Sequence, residues 1–173
     1  VSQQHLLNAL KEGSEKVLPK AELERYSFML IFYCVLKKMT PDTKEVCLVD
    51  ITSEATEIGI VRDGILKYVT HAPFGIHTIA RDIANLCKIP FDEALAYIQG
   101  STELDRTLRP AVQTELSVIL DTYVDKMSEL FLRTGDKLAI PRPLFIHTDN
   151  RTEKFFADHI KKAATQATSA EHG

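Results

Sequence analysis

The sequence predicts an α/β fold, and three observations carry that prediction. An unbroken apolar run, Val46 to Val49, reads as a strand covered on both faces. Two β-branched-rich runs, Ala55 to Val61 and Ile65 to Thr70, flank Asp63-Gly64, a strong two-residue hairpin signal. Helical stripes then separate these strands from a last short apolar run, Pro143 to Ile146. The predicted order is helices, three antiparallel strands, three helices, one further parallel strand and one helix.

Each helix has its own warrant. Ser2 to Lys11 carries Leu6, Leu7 and Leu10 on a short stripe that ends near Gly13. From Lys20 to Lys38 a longer helix is expected, acidic at its start (Glu22, Glu24) and basic at its end (Lys37, Lys38), which suits the helix dipole. Its run Phe28 to Leu36 is nearly all apolar, so burial on most sides is expected until Pro41-Asp42 breaks it. After Pro73 and Gly75, the positions Ile76, Ile79, Ala80, Ile83 and Leu86 fit a 3.6-residue period, and Pro90 closes that helix. Asp92 is placed as the N-cap of a short helix through Ile98, with Gly100 to end it. Pro110 opens the longest helix, striped by Val112, Leu116, Ile119, Tyr123, Met127 and Leu130 up to Thr134-Gly135 and expected to pack along the sheet. Asn150 and Glu153 have capping-box spacing before a last helix bearing Phe155, Phe156 and Ile160. The small, polar residues after Ala164 read as a fraying tail.

The 173 residues suit one domain with its own core: helices over 1–45, the main unit over 46–164 and a tail over 165–173. Hydrophobic residues at 45% and charged residues at 26% match a soluble globular chain and argue against disorder or a membrane class. A formal net charge of -3 with no dense Lys/Arg block offers nucleic acid no general attraction. Cys34, Cys47 and Cys87, an odd set among apolar neighbours, read as buried free thiols in a reducing compartment. With no signal peptide and no apolar run of spanning length, the expected address is cytoplasmic, without direct membrane insertion. A start at Val1 rather than methionine suggests a piece of a longer protein.

Chemistry-bearing constellations are sparse. His5, His71, His77, His147, His159 and His172 show no metal-ligand spacing, so no metal site is expected. Ser117 and Ser128 sit on a helical stripe and Cys47 inside a strand, so neither acyl transfer nor thiol chemistry has a visible nucleophile arrangement. No complete set of catalytic residues emerges. Arg81 and Asp82 read as a solvated helix face, and one of Phe155 and Phe156 should be buried against the sheet.

A resemblance adds to this. VDITSEATEIGIVRDGILKY, then HAPFGIHTIARDIANLCKIPFDEALAYIQG, then the long helix and PLFIHTDN, resemble in that order the second-domain half, subdomain IIA, of bacterial actin-like proteins of the FtsA/PilM kind. The resemblance implies a ribonuclease-H-like half-fold, with the insertion that many relatives carry reduced to a helical remnant at about 88–110. It aligns Asp50, Thr52, Glu54 and Thr56 with a phosphate turn of pattern Asp-x-Gly-x-Gly-x-Thr, so Thr52 and Glu54 replace both glycines. Glycines there let backbone N–H groups approach phosphate; Thr52 and Glu54 obstruct that approach, and Glu54 adds like charge worth about 1 to 4 kcal/mol of repulsion. His147, Thr148, Asp149 and Asn150 likewise stand where relatives have a Thr-Gly-Gly loop.

The expected function is therefore a scaffold or assembly module with lost or weakened nucleotide binding, meeting protein partners in a membrane-associated assembly of cell division or pilus machinery. A further reading is a self-contained adaptor with a half-actin fold that self-associates through the exposed edge of its sheet. The alternative is a fragment of an active actin-like ATPase or sugar-kinase-type phosphotransferase. In it ATP and magnesium are the cofactors, and Asp50, Thr52, Thr56 and Glu57 are the binding residues.

Overall fold

The computed structural model describes residues 27–100, 109–134, 140–149 and 151–168, with Asn8, Ala9, Glu12 and Lys16 as isolated positions. The expectations for Ser2 to Lys11, for Glu22 and Glu24, for residues 101–108, for Asn150 and for residues 169–173 lie wholly or mostly outside them. The described elements are α1 (Phe28–Met39), β1 (Val46–Ile51), β2 (Thr56–Arg62), β3 (Ile65–Ala72), α2 (Ile76–Cys87), α3 (Phe91–Ile98), α4 (Pro110–Leu132), β4 (Leu144–Thr148) and α5 (Glu153–Thr168).

The four strands form one sheet in the order β3-β2-β1-β4. β1 pairs antiparallel with β2 and parallel with β4, so it lies inside the sheet, and all six of its residues are buried. The hairpin between β2 and β3 turns on Asp63 (φ 52°) and Gly64 (φ 71°), the two positive φ values that a type I′ turn demands and that Gly tolerates without strain.

The two sheet faces bury different cores. Cys47, Val49, Ile51, Ile58 and Ile60 face α2 to α5, packing with Ile76, Ile83, Met127, Phe131, Phe156 and Ile160. Val46, Leu48 and Val61 face α1, which covers them with Met29, Tyr33 and Leu36. The Tyr33 hydroxyl donates to Gly64 O at 2.7 Å, tying the helix to the hairpin turn.

Several expectations need correction. α1 starts at Phe28 rather than Lys20, because Ser27 has extended backbone and its hydroxyl accepts the Leu30 amide at 3.3 Å. α1 is not buried on most sides: Phe28, Ile31 and Val35 are exposed, since only the i, i+4, i+7 stripe Met29, Tyr33, Leu36 can reach the sheet. Cys34 shares that outer face and is exposed, whereas Cys47 is buried and Cys87 half-buried. Lys88 ends α2 in the left-handed region (φ 56°), while Pro90 is the N-cap of α3 and Asp92 sits inside its first turn. α4 packs mainly on α2 and α5 rather than along the sheet. β4 runs on to Thr148, and α5 continues through Thr168, past the Ala164 at which the tail was expected to begin.

Tyr33→Phe keeps the ring packing and strands the Gly64 carbonyl. The substitution should cost about 0.5–1.5 kcal/mol, read as a lower urea midpoint at unchanged slope; a midpoint equal to that of the parent would contradict the tether.

Candidate functional site

The residues singled out by sequence converge at one end of the sheet, where β1 runs out and β2 and α2 begin. Residues 52–55 close a tight turn. Thr52 N–H donates to Ala55 O at 2.9 Å, and the Thr52 hydroxyl both donates to Ala55 O (3.0 Å) and accepts from Ala55 N–H (3.2 Å). This is the local hydrogen bonding at which threonine competes with regular structure.

The turn is pressed onto the first residues of α2. Ile76 N–H donates to Thr52 O at 3.0 Å and His77 N–H to Ser53 O at 2.8 Å, so the carbonyls of the turn satisfy two of the amides that a helix start leaves unpaired. The Thr78 hydroxyl accepts a third N–H, that of Gly75, at 3.3 Å. A Cβ on Gly75 would lie 2.3 Å from Thr52 O and 2.7 Å from Ala55 N, so this seat requires glycine for space, not for φ.

Glu54 projects from the turn over the same helix end. Its carboxylate lies 3.0 Å from His77 Nδ1 and 3.0 Å from Arg81 Nη2. Hydrogen bonds from Arg81 and then His77 draw the Glu54 carboxyl down to about 2. The stability this clamp supplies is complete above the unfolded carboxylate's ordinary value and fades as pH falls toward about 2. The side chain is 62% exposed, so solvent keeps the contribution small. Arg81 is therefore an ion-pair partner, not merely part of a solvated face; Asp82 beside it is exposed.

Asp50 is not a free carboxylate. It is buried, and its Oδ1 lies 2.7 Å from Nδ1 of His147, its register partner on β4. Burial pushes the carboxyl up from its ordinary value, while the hydrogen bond and charge of His147 pull it back and Asp149 pushes it up again. An ionised Asp50 can only accept, so Nδ1 of His147 then carries the proton. Phe28 and Phe32 flank the imidazole, with ring centroids at 5.0 and 6.0 Å.

Thr56 is buried and donates to Phe74 O at 2.8 Å. Glu57, opposite both Asp50 and His71, is half-buried on the α1 side. The four residues are thus neighbours, but Thr52 and Thr56 are spent on backbone and Asp50 on His147. Among the described residues no cluster of three or more His, Cys, Asp and Glu could hold a metal ion, and no helix is long and apolar enough to cross a membrane. Polyphosphate fits this end of the sheet poorly: the amides of Thr52, Ala55, Gly75, Ile76 and His77 already have partners inside the chain, and the turn presents a carboxylate. Sequence reasoning missed His147 and His77, because the first is joined to Asp50 only by the β1–β4 register and the second to Glu54 only by the docked turn.

Two outcomes check this geometry. Gly75→Ala should lower stability by about 1–3 kcal/mol or more, because the turn must move off the helix; a denaturation midpoint within error of the parent would show that the close approach is not required. Carbon-detected NMR should place the Glu54 titration near 2, and Arg81→Ala should return it toward the ordinary carboxylate range; an unmoved midpoint would remove the clamp from the account.

Comparison with known proteins sets this architecture in context. No protein-family model matches the chain. A curated relative, cell division protein FtsA of Buchnera aphidicola subsp. Baizongia pistaciae, is 29% identical over 91 residues, covering 49% of this chain and 22% of its own length. Among solved structures, the PilM–PilN type IV pilus biogenesis complex matches with a TM-score of 0.57 at 13% identity, over 82% of this chain and 38% of that one. MreB 5 of Spiroplasma citri bound to AMPPNP matches with a TM-score of 0.57 at 13% identity, over 96% and 64%. Ethanolamine utilization protein EutJ of Carboxydothermus hydrogenoformans matches with a TM-score of 0.53 at 17% identity, over 81% and 47%. The chain spans about a fifth of the FtsA relative and less than two thirds of each of these structures. The α/β sheet, its mixed strand order and these likenesses together show that the chain has an actin-like fold of the FtsA/PilM type.

Proposed function

We propose that this chain is the assembly module of a divergent FtsA/PilM-like scaffold, in which the turn that would otherwise receive nucleotide phosphate has become an internal lock. The observation that carries the reading is the docking of the 52–55 turn onto α2: its carbonyls take the Ile76 and His77 amides while Glu54 engages His77 and Arg81. Phosphoryl transfer depends on a prearranged cradle of donors for developing negative charge. Here the amides of Thr52, Ala55, Gly75, Ile76 and His77 face carbonyl and hydroxyl oxygens of the chain itself, and the Glu54 carboxylate takes the side chains of His77 and Arg81. The likeness to a cell division protein and to a pilus biogenesis complex favours protein partners in a membrane-associated assembly of division or pilus type. The module would then work in the cytoplasm, at the inner face of the membrane through those partners and without inserting itself.

A second reading, a fragment of an active actin-like ATPase or sugar-kinase-type phosphotransferase, has two observations in its favour: an aspartate, Asp50, stands near the end of β1, and a structural neighbour is bound to AMPPNP. In that reading Asp50, Thr52, Thr56 and Glu57 would have to be released from their present arrangement.

Isothermal titration of the full-length parent protein with ATP and magnesium decides between the two. The scaffold reading expects no saturable heat up to millimolar nucleotide. Saturable micromolar binding that disappears in Asp50→Ala would overturn it.

A further inference from the structure

We propose that the cavity between α2 and α4 is a binding site for a small neutral aromatic molecule carrying one hydrogen-bond acceptor, to which the Tyr123 hydroxyl donates. Both walls belong to this chain. Phe74, just before α2, and Thr78 in its first turn face Val118, Ile119 and Tyr123 of α4 across a space of about 100 Å3. A second space of about 320 Å3 adjoins it and shares Phe74, Thr78 and Lys126 with it.

Tyr123 carries the argument. The residue is 4% exposed, and its hydroxyl is buried with no hydrogen-bond partner among the described residues. Buried tyrosine hydroxyls ordinarily have one. The neighbouring rings supply none: Phe74 and Phe156, with centroids at 6.0 and 5.6 Å, carry no polar atom, and Nδ1 of His159 is spent on Phe155 O at 2.6 Å. A partner for the hydroxyl therefore has to arrive through the cavity that Tyr123 lines. Burial pushes the phenol up from its ordinary value, so the hydroxyl keeps its proton and can donate it.

The rest of the lining sets the class of ligand. Ile79, Val118 and Ile119 present hydrocarbon, and Phe74 stands edge-on to the Tyr123 ring at 87°, an arrangement against which a further ring packs well. Apolar cavities of about 150 Å3 take a benzene ring, so the two adjoining spaces suit one ring with a short substituent. Asp82 and Lys126 are exposed lining residues of opposite sign, so the mouth favours neither a net anion nor a net cation. No residue of the 52–55 turn lines the cavity, and the inference holds whether or not that turn binds nucleotide.

Ligand-observed NMR on the full-length parent protein, without nucleotide, tests it with phenol and with toluene, which has the same outline and no acceptor. Phenol should bind with a Kd on the order of 1 mM. Tyr123→Phe should move the phenol-to-toluene preference about fivefold or more toward toluene. Ile119→Phe, which adds bulk to the lining, should weaken both ligands about tenfold or more. Because the hydroxyl has no partner in the free protein, Tyr123→Phe should leave the urea midpoint no lower than that of the parent, a readout that decides even where Ile119→Phe fails to fold. Absence of phenol binding at about 10 mM, a preference unmoved by Tyr123→Phe, or undiminished binding in a folded Ile119→Phe would each overturn the proposal. So would a midpoint lowered by Tyr123→Phe, which would show the hydroxyl already paired with water or with another part of the protein.

Discussion

The close approach of the 52–55 turn to the first residues of α2 is the constraint on which the rest of this end of the molecule depends. A helix start leaves several N–H groups unpaired, and burying them without partners is costly. Here the partners are the Thr52 and Ser53 carbonyls, brought within reach because Gly75 has no side chain to hold them off. Once that seat is made, Glu54 stands over His77 and Arg81, and the Thr56 hydroxyl is close enough to bond Phe74 O on the path from β3 into α2.

The buried Asp50 is held by a different balance. Desolvation disfavours its charge, and only the His147 imidazole from the neighbouring parallel strand compensates. That contact joins β1 to β4 by side chain as well as backbone and sets Phe28 and Phe32 of α1 around the imidazole. Asp50 thus takes part, through His147, in the contact between sheet and helix.

Much of the fold was legible in the sequence because its signals are local. Asp63-Gly64 specifies a hairpin turn through its φ preferences, Pro110 and Ser27 mark helix starts by their own backbone chemistry, and the Ile76, Ile79, Ala80, Ile83 stripe follows from the helical repeat. Ser27 was nonetheless passed over, because the apolar run behind it and the charged stretch before it read as one helix. The exposure of Phe28, Ile31 and Val35 was hidden for a related reason: apolar content reports how much surface could be buried, not how much neighbouring surface exists to bury it.

The sequence alone therefore determined the α/β class, the element order, the hairpin and a 52–55 turn that contains no glycine. Propensity, periodicity and turn chemistry all act over a few residues. Only the tertiary structure decided that this turn caps α2, that Glu54 meets His77 and Arg81, and that Asp50 meets His147 across the β1–β4 pairing. Those contacts join residues some 20 to nearly 100 positions apart, and their chemistry exists only after strand register and helix docking have brought the groups within hydrogen-bond distance.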